Sequence, residues 1–454
     1  MNIIIVGCGK IGTTLLANLV AEGHDVTVID NNPAVITEIT NIYDVMAVCG
    51  NGADSEALEE AGVADTELVI SATGSDELNM LSCFLAKRMG AQHTVARIRN
   101  PEYNERSINF MRKQLDISLA MNPELLAAHA LYNILKLPSA AKIETFSMRN
   151  FEMIELRLKP DSLLDGMRII DMRAKFKANF LICAVQRDEE AYIPDGNFVL
   201  KSGDKIGLTA SPAEITKLLK ELSILQKQAR NIMILGGSRT AFYLAKKLGN
   251  AGISVTVIEK ERAICEALSE ALPKAVIING DGAQQELLLE EGLHSIDAFV
   301  ALTGIDEENI LVSSFAQSHN VPKVIAKVNR DELIPLAEHW GLDCIVSPKK
   351  LIADILVQYA RALENSAGSS METLYKLMDD KVEALEFRVK DDFERLGIPF
   401  KQLETKPNTL VAGIMRDRKT IIPSGDDMLL AGDRVIVLAA NQRINTLSDI
   451  LKKG

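Results

Sequence analysis

The chain has 454 residues, about three domains' worth at roughly 150 residues per domain, so one compact domain is excluded. An apolar fraction of 47% is that of a globular protein and excludes a disordered chain. Fifty Lys and Arg against 62 Asp and Glu leave a net charge of −12, and there is one Trp, so binding to nucleic acid is not expected.

No run approaches the ~18 apolar residues of a membrane helix, and the opening MNIIIVGCGK lacks the basic start of a signal peptide. The reading is a soluble cytoplasmic protein. The six cysteines, at 8, 49, 83, 183, 265 and 344, form no CxxC and no Cys/His cluster, which points to buried free thiols in a reducing compartment.

From the amino terminus, apolar β runs at Ile3–Val6, Val26–Ile29, Val45–Val48, Leu68–Ser71, Thr94–Ala96 and Ile117–Ala120 alternate with helical stretches. Strand–helix alternation predicts a parallel, doubly wound sheet. Gly7-Cys8-Gly9-Lys10-Ile11-Gly12 is a G-x-G-x-x-G that follows the first strand and opens a helix. In that arrangement the first glycine serves a tight turn, the second lets backbone approach a pyrophosphate, and the third lets helix and strand pack closely. The helix N-terminus offers N–H groups and partial positive charge to the phosphates. Asp30 ends the second strand, where a carboxylate accepts ribose hydroxyls and repels a 2′-phosphate, favouring NAD or an adenosine nucleotide over NADP.

Thr73 and Gly74 follow the fourth strand, at the carboxyl edge where such sheets bind ligands. Asp76 is the expected N-cap of the next helix, with Asn79 in its first turn and an apolar stripe through Leu81, Phe84 and Leu85. Arg97 and Arg99 follow the fifth strand and are candidate phosphate partners, with surface salt bridges as the structural alternative. Pro123 opens a helix reaching about Leu137 and ending before Pro138. Shorter β runs follow at Met153–Leu158, Phe180–Gln186 and Lys205–Thr209, then a helix from about Pro212 with Leu218, Leu219 and Leu222 on one face. This is the pattern of a small α+β lobe.

The whole unit is then repeated. Gly7 and Gly236 lie 229 apart, as do Asp30 and Glu259, Pro194 and Pro423, and Gly203 and Gly432; Thr73 and Thr303, and Asn79 and Asn309, lie 230 apart. The segment Ser366-Ala-Gly-Ser-Ser reads as the joint between the lobes of the second copy. In that copy the glycine loop has become Gly236-Gly-Ser238-Arg-Thr-Ala241, and Lys327 and Asn329 stand for Arg97 and Arg99. Glu259 keeps the acidic position, so the second lobe is either a weakened nucleotide site or purely structural. No histidine falls in the small lobes, and GxSxG, Walker A and HExxH patterns are absent. The chain binds a nucleotide without machinery to transform it; the alternative is an NAD-dependent oxidoreductase.

These residues identify the unit. It resembles the RCK family (regulator of potassium conductance) through GCGKIG at 7–12, VID at 28–30, GNGAD at 50–54, SATGSDELNM at 71–80, VARIRNPEY at 95–103 and MNPE at 121–124. The resemblance implies α/β architecture in two tandem modules, each a Rossmann-like doubly wound parallel sheet followed by a small α+β C-terminal lobe. The implied lobes span 1–122, 140–226, 230–348 (the degenerate site) and 368–453. It further implies a peripheral cytoplasmic regulator on the inner face of the cell membrane, assembled as a tetrameric ring. Such a regulator binds NAD(H), or ATP or ADP, and docks beneath a potassium-translocating membrane subunit of the TrkH/TrkG type.

Overall fold

The computed structural model describes residues 1–101, 103, 105–136, 142–146, 151–160, 162–188, 190–224, 229–342, 344–365, 371–378, 381–417, 419–442 and 444–452. The joint at 366–370 and the expected helix end at 137–138 lie outside the described residues. Two units organise the chain: residues 1–129 with 347–360, and residues 130–346 with 361–454.

The first unit is built on a parallel six-stranded sheet of β1 (Asn2–Val6), β2 (Asp25–Asp30), β3 (Met46–Cys49), β4 (Leu68–Ser71), β5 (His93–Arg97) and β6 (Leu119–Met121). Its spatial order is β3-β2-β1-β4-β5-β6, so the winding reverses between β1 and β4. The central strands read as near-continuous apolar runs because helices cover both faces. Ile3, Ile4, Ile5, Leu68, Val69 and Ile70 are all essentially buried. The connecting helices are α1 (Lys10–Ala21), α2 (Pro33–Ile42), α3 (Ser55–Glu60), α4 (Asp76–Arg88) and α5 (Glu105–Gln114), followed by α6 (Pro123–Lys136).

Three local expectations are corrected here. Ser75, not Asp76, caps α4, its Oγ accepting from the Leu78 N–H at 3.2 Å. The buried face of α4 carries Asn79, Met80, Cys83 and Ala86, whereas Leu81 is 48% exposed and Phe84 and Leu85 are only half-buried. Small side chains let the helix settle on its sheet, and the larger leucine stripe is turned away. Cys49 is exposed, against the expectation of burial, because it ends β3, an edge strand.

The second unit contains another parallel six-stranded sheet with the same winding, ordered Ala275–Asn279, Ser254–Glu259, Asn231–Leu235, Ala298–Ala301, Lys323–Lys327, Ile345–Val346. It also holds two antiparallel five-stranded sheets. Their order in the first small lobe is Glu190–Tyr192, Leu181–Arg187, Lys205–Ala210, Glu152–Arg157, Lys142–Thr145. The two sheets share one core, in which Phe151, Met153 and Cys183 meet Leu377, Met378, Ala412 and Ile436. Each small lobe repeats one bidentate ion pair: Arg187 with Asp204 at 2.8 Å, and Arg416 with Asp433 at 2.7 and 2.9 Å. A planar fork on a carboxylate fixes geometry as well as charge, and each carboxylate also accepts from a turn amide, Lys201 or Leu430.

Two long helices are divided between the units. α6 starts in the first, while its last turns belong to the second, where Lys247 Nζ lies 4.7 Å from the Tyr132 ring centroid. The buried Lys323 ammonium there donates to the Ile134 carbonyl at 3.0 Å, and burial brings its pKa down to about 8. The helix Pro348–Asn365 does the reverse, with residues up to 360 belonging to the first unit.

Burial also sets an alkaline limit. The Cys83 and Cys183 thiols, both fully buried, are pushed up from 9.0 to about 12. The unfolded chain sheds these protons from about pH 9 while the native chain holds them, so their contribution is intact below that pH and declines above it. The urea midpoint should therefore fall between about pH 8.5 and pH 10.5, and Cys83→Ala with Cys183→Ala should flatten that slope. An equal slope in the double variant would remove the thiols as its cause.

Candidate nucleotide-binding site

The three loop glycines of the first lobe answer to three different surroundings. Gly7 sits at φ +90°, a left-handed conformation costly for other residues, and a Cβ there would lie 2.8 Å from Thr73. At Gly12 a Cβ would fall 2.0 Å from the Gly7 carbonyl oxygen. Gly9 is different: its φ of −68° suits any residue, and a Cβ there meets nothing within 4 Å. Neither local backbone nor protein packing explains a glycine at position 9, and the room above it is open.

That room lies over the start of α1. Gly9 is the N-cap without a side-chain cap, and the intrahelical ladder begins with Thr13 N–H donating to the Gly9 carbonyl at 2.9 Å. The N–H groups of Lys10, Ile11 and Gly12 are outside that ladder by helix geometry and face the loop side. Ile11 is half-buried, Lys10 is exposed beside the opening, and no acidic residue occupies the first turn. An anion is the natural occupant.

Asp30 closes the loop from β2. Its Oδ2 accepts from the Cys8 N–H at 2.7 Å and its Oδ1 from the Asn32 N–H at 2.9 Å. Each carboxylate oxygen keeps a further acceptor position. Burial first, and the Asp30 charge second, push the Cys8 thiol up to about 12, so it is an inert part of the loop floor.

The opposite wall is held by residues whose role the sequence analysis misses. Asn79 is fully buried and its Oδ1 accepts from the Thr73 N–H at 2.8 Å and the Thr73 hydroxyl at 2.6 Å. Its Nδ2 donates to the Arg97 carbonyl at 2.9 Å, tying the loop after β4 to the end of β5. Asp76, expected as a cap, instead accepts from the Arg99 and Asn100 N–H groups at 2.8 and 2.7 Å. The second copy repeats these contacts through Asn309 and Asp306. That repetition of an identical Asn and Asp within SATGSDELN and ALTGIDEEN was the available signal.

The arginines brace the same wall. Arg97 Nη1 donates to the Ala72 and Thr73 carbonyls at 3.3 and 3.4 Å, and Arg99 Nη2 to the Gly74 carbonyl at 2.7 Å. The structure thus brings Gly7, Cys8, Gly9, Lys10, Ile11, Gly12, Asp30, Thr73, Gly74, Arg97 and Arg99 to one carboxyl edge. His24 and His93 lie at the opposite, amino-terminal edge. Glu259 belongs to the second unit, where its carboxylate does what Asp30 does in the first, accepting from Gly237 N–H at 2.5 Å and Glu261 N–H at 2.8 Å. There Ser238 takes the place of Gly9 and caps its helix, its Oγ accepting from the Ala241 N–H at 3.4 Å.

Sequence models of two domain families fit this architecture: the TrkA-N domain at residues 3–123 and 232–348, and the TrkA-C domain at 153–223 and 385–452. The chain belongs to the TrkA family. A Trk system potassium uptake protein TrkA homolog of Archaeoglobus fulgidus is 30% identical to this TrkA-family chain over 100% of both. The Trk system potassium uptake protein TrkA of Vibrio alginolyticus is 28% identical over 98% of this chain and 96% of its own. Among solved structures, the GsuK RCK domain aligns with a TM-score of 0.62 at 18% identity, covering 97% of this chain and 92% of its own. The GsuK channel bound to NAD aligns with a TM-score of 0.62 at 18% identity, covering 97% and 77%. At that identity the shared property is the fold: tandem modules of Rossmann-like sheets and small antiparallel lobes. Among the described residues of this TrkA-family chain, no helix is long and apolar enough to cross a membrane.

Proposed function

We propose that this chain is the regulatory nucleotide-binding subunit of a Trk-type potassium uptake system, not an enzyme. NAD(H) is the preferred ligand of the first lobe, with ATP and ADP sharing its adenosine end. The observation that carries this is the unfilled space over Gly9, between the start of α1 and the Asp30 carboxylate. A pyrophosphate suits that helix start, and a ribose diol suits the remaining acceptor positions of Asp30, which would repel the 2′-phosphate of NADP. The partner is a potassium-translocating membrane subunit of the TrkH/TrkG type, met by a tetrameric ring of tandem modules with the four lobes at 1–122, 140–226, 230–348 and 368–453. The names of the full-length relatives support the potassium role.

A regulator of this kind acts only through unequal affinity for two states. If each of four first-lobe sites favours one state about threefold, the open–closed ratio moves about eightyfold, so ring assembly makes a weak preference usable. The test is rubidium flux through the reconstituted membrane subunit, with and without this chain, across NAD, NADH, ATP and ADP. Nucleotide-dependent flux that needs this chain is expected. Flux indifferent to the chain and to every nucleotide would remove the proposal, and steady oxidation of NADH with a carbonyl substrate would replace it with the oxidoreductase reading.

A further inference from the structure

The second parallel sheet keeps the frame of a nucleotide lobe and changes its chemistry. A cavity of about 290 Å³ opens at its carboxyl edge, where the winding reverses between Asn231–Leu235 and Ala298–Ala301. That is the place where doubly wound sheets take ligands. Position by position around the cavity, Asn32, Asn51 and Leu78 of the first lobe become Glu261, Asp281 and Glu308. With Glu259 that makes four carboxylates against one lysine, Lys260. The wall changes too: Ser75 gives way to Ile305, an apolar side chain that is 51% exposed.

Each change acts against phosphate. Carboxylates at the rim repel it, and the Ser238 side chain stands where Gly9 leaves open space for backbone approach. The same changes favour an uncharged nucleoside. Apolar side chains pack on the faces of a planar base. Sugar hydroxyls donate to carboxylates, and Glu259 uses only one acceptor position of each oxygen on the Gly237 and Glu261 amides. The volume lies at the floor of the roughly 300–1,000 Å³ range of small-molecule sites, suited to one nucleoside and not to a dinucleotide.

We propose that the second lobe binds an unphosphorylated nucleoside, discriminating against nucleotides by charge. The inference rests on the duplicated frame and is independent of which nucleotide occupies the first lobe. The experiment is equilibrium dialysis of the full chain carrying Gly9→Val, with adenosine, AMP and NAD as probes. One adenosine per chain is expected, with AMP at least about tenfold weaker and NAD weaker still. Adding Ile264→Trp, which fills the cavity, should abolish adenosine binding. Glu261→Asn, Asp281→Asn and Glu308→Leu, combined with Ser238→Gly, restore the first-lobe residues at the rim and loop without touching the core, and should bring AMP to within about threefold of adenosine. Adenosine binding that survives Ile264→Trp, AMP bound as tightly as adenosine before the rim is changed, or no adenosine bound at millimolar concentration would overturn the proposal. NAD binding that survives both Gly9→Val and Ile264→Trp would count against the first-lobe reading instead.

Discussion

Gly9→Val is expected to lower nucleotide affinity in the first lobe by at least about a hundredfold while leaving thermal stability almost unchanged. The backbone at position 9 already has a conformation open to any L-residue, and a Cβ built there meets no protein atom within 4 Å. Losing the glycine at the N-cap costs about 1 kcal/mol or less. The added carbons instead occupy the space through which a phosphate would reach the first N–H groups of α1. Titration calorimetry with NAD and ADP beside a thermal melt separates the two effects. Affinity within about threefold of the parent would show that the phosphate lies elsewhere.

Gly12→Val should do the opposite. Its Cβ would lie 2.0 Å from the Gly7 carbonyl oxygen, and that atom is backbone, held in a turn at φ +90° which is itself packed on Thr73. Either α1 lifts away from β1 or the turn is lost, and overpacking costs about 1–3 kcal/mol, occasionally more. Urea denaturation should show a lower midpoint with an unchanged slope. The second lobe carries Ala241 at this position, buried at 1% exposure, so a methyl is compatible with a loop built on Gly236-Gly-Ser. Gly12→Ala should accordingly be milder than Gly12→Val, and an undiminished midpoint for Gly12→Val would refute the steric account.

The duplication was legible because a constant offset is a property of the sequence, and the parallel sheets because βαβ alternation is local. The side chains that shape the site were less so. Asp76 looks like a cap by type and position, but Ser75 is one residue nearer the helix start, and Asp76 is captured by amides 23 and 24 residues away. Arg97 and Arg99 are candidate phosphate ligands by position, but that they also donate to the carbonyls of Ala72, Thr73 and Gly74 follows from strand order, which the sequence does not display. The buried face of α4 depends on what the sheet presents, so periodicity alone favoured Leu81 over Ala86. In the small lobes, Ile169–Lys175 and Glu190–Tyr192 are too short to announce themselves, and non-local antiparallel pairing defines the sheet.

The division of the two long helices between the units has a consequence for biogenesis. The unit built on the first sheet includes residues 347–360, so it cannot be completed until residue 360 has left the ribosome, although its last strand ends at Met121. Loop closure over such a separation makes folding slow and leaves apolar surface uncovered meanwhile. The nascent amino-terminal sheet must therefore persist as an incomplete body through synthesis of the first small lobe and the whole second sheet. The second unit, which runs to residue 454, is completed later still.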